Sequence, residues 1–143
     1  FVLKDYEPSS SNILDELYLF LSNIYKEKGD ISLKKNTAKD ALRYYKSALY
    51  YCCRCNNDLN LTTLQIDLIG KIVSVYIMKK SWKKAYLKLL EGRNISKYNL
   101  SLIKLFVKLQ SKSGDVSLKR EAEDLKIILK NCIEHINIPN FSR

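Results

Sequence analysis

Between Pro8 and Pro139 the chain has no proline, and its whole length of 143 residues contains only four glycines. Proline and glycine are the residues that most reliably end helices and shape tight turns. A chain that nearly lacks them, and is rich in Leu, Lys and Ile, is restricted to helices joined by short polar connections. The apolar residues agree, recurring at three- and four-residue spacing rather than alternating. The length suits one domain with a real core.

The spacing predicts six helices. The first starts at Ser11 or Asn12, an N-cap followed by Asp15 and Glu16 where the helix dipole favours acids. It carries Ile13, Leu17, Phe20 and Ile24 with Leu14, Tyr18, Leu21 and Tyr25 as its apolar stripe, and Gly29 is expected to end it. The others are predicted over about 33–55, 61–79, 81–91, 101–111 and 118–135. Paired in order they form three antiparallel hairpins, about 12–55, 61–92 and 101–136. Residues 1–11, with Pro8 and three serines, read as a strap or linker, and 137–143 as a tail. One phrase occurs twice: "GDISLKK" at 29–35 and "GDVSLKR" at 114–120, each expected to stand at the head of an amphipathic helix.

Within the hairpins the residues resemble the tetratricopeptide repeat, whose first helix carries a bulky-Leu-small-Tyr signature and whose second carries Ala, an aromatic and Ala. Tyr18, Leu21, Ser22 and Tyr25 stand at that spacing, followed by Ala41, Tyr45 and Ala48. Ile69, Ile72, Val73 and Tyr76 repeat it, followed by Ala85, Leu89 and Gly92. The third hairpin keeps only Ala122, Leu125, Leu129 and Cys132. Tyr76 and Ala85 are nine apart, as in the family, but Tyr25 and Ala41 are sixteen apart, about two extra helical turns in the first hairpin. The resemblance implies an all-α, solenoid-like stack of hairpins with small residues at close helix crossings, and a protein-binding role. Some members of the family grip an acidic peptide C-terminus with Lys and Asn on the concave face. Asn23 falls where such an Asn would be, whereas Leu19 stands where the Lys is expected, and Gly70 and Lys71 break the pattern in the second hairpin.

The net charge of +10 is concentrated, since residues 79–112 hold ten Lys/Arg and only Glu91. Lys80, Lys83, Lys84 and Lys88 surround the predicted fourth helix, and Lys104, Lys108 and Lys112 are four apart on the fifth. Such a face is a solubilising surface, a contact for an acidic protein partner, or a contact for nucleic acid. No nucleic-acid-reading motif accompanies it. Whether Lys104, Lys108 and Lys112 face a concave groove depends on the rotation of that helix. Tyr44, Tyr50, Tyr51 and Tyr98 are expected to be partly exposed.

Chemistry is sparse. Cys52, Cys53 and Cys55, with the remote Cys132 and His135, supply soft ligands, but thiols crowded on one helix diverge and lack zinc-site spacing. His135 is the single histidine, and there is no Gly-rich phosphate loop. The expectation is a non-catalytic module with no cofactor or metal. The cysteine pattern is not that of a disulfide framework, which points to a cytoplasmic or nuclear setting. The densest contiguous apolar run, "LYLFL" at 17–21, is far short of a membrane span. Two function classes stand beside the protein-binding scaffold: a nucleic-acid-binding helical module, and a purely structural pair of three-helix bundles.

Overall fold

A computed structural model describes residues 7–55 and 59–137, and the side chains of 13–55 and 61–131. The chain is all-α, with α1 (Glu7–Lys34), α2 (Ala38–Arg54), α3 (Leu59–Met78), α4 (Trp82–Ile95), α5 (Leu100–Ser113) and α6 (Lys119–Asn137). No strand occurs among the described residues. Each helix packs on the next, and α3 also packs on α5. The helices therefore form a stack in chain order with α3 at its middle.

Where two helices of a pair approach, the residues are small. Ser22, Ala41, Ala48 and Ala85 are fully buried, and the Ser22 hydroxyl donates to the Ala48 carbonyl at 2.7 Å, so this buried hydroxyl at the α1–α2 crossing costs no unsatisfied donor. At Gly92 an added Cβ would lie 3.0 Å from Ile69 and from Leu102, closer than the α3–α4–α5 junction can absorb without shifting.

Two boundaries differ from expectation for physical reasons. The helix starts at Glu7 rather than Ser11; a proline in the first turn lacks only an N–H that has no intrahelical acceptor. At the other end, α1 runs through Gly29 to Lys34. Gly29 is not a stop. The ring of Tyr45 lies against it so closely that a Cβ would sit 2.5 Å from a ring carbon. The reversal comes later, at Asn36, which is left-handed (φ 61°). There the Thr37 N–H and hydroxyl both donate to the Ser32 carbonyl, at 2.9 and 2.7 Å. The two extra turns implied by the Tyr25-to-Ala41 spacing thus lie largely in α1.

The duplicated phrase has two structural uses. Gly29–Lys34 is the last part of α1, so the expectation that it heads a helix is overturned. Gly114–Leu118 is a true connection. Gly114, at φ 68°, caps α5, and Asp115 accepts from the Ser117 N–H at 2.9 Å to start the turn Val116–Leu118 that leads into α6. The fifth helix begins at Asn99, whose side chain accepts from the Leu102 N–H at 3.2 Å.

Among the described residues one helix, over Leu61–Met78, is long and apolar enough on average to cross a membrane, although interrupting polar residues hide this from a search for contiguous runs. Half of that window is buried inside the stack, as expected of a helix at its middle.

Candidate functional site

The first helices of the three pairs, α1, α3 and α5, share one side of the stack and enclose a groove of about 1050 Å³. Its wall on α1 is Asp30, Leu33 and Lys34; on α3 it is Thr62, Thr63, Ile66, Asp67, Gly70, Lys71 and Ser74; on α5 it is Ser101, Lys104, Leu105 and Lys108. Tyr45 of α2 reaches it from below, and Ser96 and Asn99 close one end. The surface is therefore apolar patches between lysines and hydroxyls.

Its two aspartates are already engaged. Asp30 accepts from the Tyr45 hydroxyl and from Lys71 Nζ, the latter at 3.1 Å. Asp67 pairs with Lys26 at 3.0 Å. These two ion pairs tie α1 to α3 across the groove. Among the described residues Lys34, Lys104 and Lys108 have no carboxylate within 4.0 Å, and all three are exposed. The groove consequently presents uncompensated positive charge, strongest on α5, where Lys104 and Lys108 are one turn apart.

Burial pushes the Asp30 carboxyl up, but the Tyr45 hydroxyl and Lys71 more than offset this and hold it below its ordinary value. The same contact, with burial as the larger cause, pushes the Tyr45 phenol far up, so it stays a donor. A carboxyl with a depressed folded pKa stabilises the fold fully above its unfolded value, and that stability is lost as pH falls through the folded value. Melting temperature should therefore decline more steeply below about pH 4 in the wild type than in Asp30→Asn, which has no carboxyl to titrate there. Parallel slopes would show that the Asp30 cluster carries no pH-linked stability.

The other sequence-predicted residues lie elsewhere. Lys80, left-handed at φ 60°, sits in the α3–α4 turn. Lys83 and Lys84 are exposed on α4, and Lys88 pairs with Glu91 at 3.3 Å. None of these lines the groove, nor does Lys112, one turn beyond Lys108, nor Asn23, exposed on α1. The structure thus brings Lys104 and Lys108 together with Lys34, Lys71 and Asp30, three groove residues not singled out from the sequence.

A second surface follows the outer seam of the first pair. Tyr18, Tyr51, Tyr25 and Tyr44 alternate between α1 and α2 with ring centroids 6.2, 5.7 and 6.2 Å apart and nearly parallel planes. Lys28 and Arg43 lie over the Tyr44 end, and Arg54 over Tyr18 and Tyr50. Tyr50 and Tyr98 are 56% and 60% exposed, whereas Tyr44 and Tyr51 are half-buried in the ladder.

The cysteines point apart. Cys52 is buried with its thiol on the Leu61 carbonyl, Cys55 donates to the Asp15 carbonyl at 3.1 Å, and the exposed Cys53 accepts from Gln65 at 3.3 Å. Burial first, and the neighbouring Cys53 and Cys55, push the Cys52 thiol up to about 11, the opposite of what a thiolate nucleophile needs. The side chains of Cys132 and His135 lie outside the described residues. No protein-family model and no curated protein matches the chain.

Proposed function

We propose that the chain is a non-catalytic, tetratricopeptide-like interaction segment of a scaffold or adaptor, and that its groove holds an acidic or amphipathic segment of a partner protein. The observation that carries this reading is the opening of Lys104 and Lys108, both without acidic partners among the described residues, into the groove between α1, α3 and α5. Exposed lysines gain little from one another and attract carboxylates with a pull that salt screens. The apolar residues between them suit a segment that is not purely charged. The repeat-like pairing of bulky and small residues along α1 to α4 supports the scaffold class.

Reversing both charges, Lys104→Glu with Lys108→Glu, should leave the helical circular dichroism and the melting temperature near those of the wild type. Affinity for acidic peptides should fall on the order of tenfold or more at low salt, because two attractions become repulsions. Unchanged affinity would remove the groove lysines from the reading.

The tyrosine seam favours one alternative. The exposed ring of Tyr50 and the half-buried rings of Tyr18, Tyr25 and Tyr44, flanked by Lys28, Arg43 and Arg54, are the ingredients of single-strand nucleic-acid binding. That alternative requires binding of single-stranded RNA or DNA with a steep salt slope, weakened by Tyr50→Ala with Arg54→Ala and indifferent to reversal of Lys104 and Lys108.

A further inference from the structure

Three of the four glycines have a structural reason. Gly29 lies against the Tyr45 ring, Gly92 fits between Ile69 and Leu102, and Gly114 is left-handed at the end of α5. Gly70 has none of these. It stands within α3, its φ is not positive, and among the described residues a Cβ added to it would meet only Leu105, at 3.4 Å, an ordinary contact. Helix propensity at an interior position favours alanine over glycine, so the stack itself gives no reason for the missing side chain.

Gly70 faces the groove. Ile66 and Ser74 are its neighbours one turn away along α3, and Leu105 is opposite on α5. The missing side chain leaves a gap in the wall, with the partly exposed Leu105 beside it and the buried Ile66 behind it one turn away. Lys104 and Lys108 flank Leu105 along α5, so the gap and the unpaired charges belong to one stretch of surface.

We infer that Gly70 is a specificity-determining position: its gap admits one bulky apolar side chain of the bound segment, whose acidic residues meet Lys104 and Lys108. The inference rests on the groove reading and narrows it. The occupant is a partner segment in which a Leu-like residue is flanked by Asp or Glu. An all-acidic segment would leave the partly exposed apolar edge of Leu105 facing water, and an apolar one would leave the lysines without partners.

The test uses the full chain and a panel of fluorescein-labelled synthetic peptides, followed by anisotropy at low salt. Acidic residues at varied spacing flank a central position occupied by Leu or by Ser. Leu peptides should bind about tenfold more tightly than their Ser counterparts, the effect of removing much of a leucine side chain from water. Gly70→Leu, which fills the gap, should abolish that preference and leave the Ser peptides unaffected. Gly70→Ala should melt higher than the wild type and narrow the preference; because its Cβ fits at ordinary contact distance, it carries the test should Gly70→Leu fail to fold. Equal affinity for Leu and Ser peptides, or a preference that persists in every folded Gly70 variant, overturns the inference but spares the groove reading if reversal of Lys104 and Lys108 still weakens binding. Absence of binding across the panel, or binding indifferent to that reversal, overturns both.

Discussion

Replacing Tyr45 with Ala should destabilise the protein by about 3–5 kcal/mol, the range for truncating a fully buried aromatic side chain, and lower the urea midpoint accordingly. Tyr45 has no exposed surface, and its ring fills the space left by the absent side chain of Gly29. Lys71 Nζ stands 5.6 Å from the ring centroid. Removing the ring therefore opens a cavity between α1 and α2 that neither backbone can close without shifting. It also leaves Asp30 with Lys71 alone. Tyr45→Phe separates the two contributions. It keeps the ring, deletes the hydroxyl, and should cost only about 1 kcal/mol, because Asp30 faces the groove and water can replace the lost donor. A Phe variant as unstable as the Ala variant would mean that the hydrogen bond, and not the packing, holds the extended end of α1 to α2.

That extended end is also where sequence and structure part. The helices α3 to α5 are legible to within a few residues because their periodicity is bounded by local signals, such as Asn99 capping α5 and Gly114 ending it. Gly29 carries a false signal. A glycine between two polar residues at the end of a periodic run looks like a terminator, and only the ring of Tyr45, sixteen positions on, gives its real reason. The sixteen-residue gap between Tyr25 and Ala41 held the needed information, since two additional turns had to be placed somewhere. Ending α1 early concealed the groove positions of Asp30, Leu33 and Lys34. Lys104 and Lys108 were identifiable by their spacing, but spacing on one helix does not specify its rotation against another. That rotation is set by which residues of α5 pack inward, here Leu102, Ile103, Phe106 and Leu109. The lysines of α4 show the converse: charge density drew attention to them, yet they lie on the second helix of their pair and outside the groove.

Phe106→Ala should cost a similar 3–5 kcal/mol, but at the other end of the stack. Phe106 has no exposed surface. It meets Tyr86 of α4 edge-on with centroids 6.1 Å apart, and the Arg93 guanidinium lies 5.7 Å from its ring centroid. Arg93 in turn holds Glu121 of α6 at 2.7 Å. One ring thus supports the junction of α4, α5 and α6. In a stack whose helices contact mainly their neighbours, damage should remain local. Hydrogen exchange should show α5 and α6 losing protection first, with α1 and α2 nearly unchanged. The Tyr45→Ala variant should give the mirror image. Equal loss of protection in all six helices would instead mean that α3, which touches α2, α4 and α5, couples the array into one cooperative unit. A groove built on such a unit would be rigid before its partner arrives. A locally yielding stack would let α5, with Lys104 and Lys108, shift against α3 as the segment enters, and part of the binding energy would then go into ordering that contact.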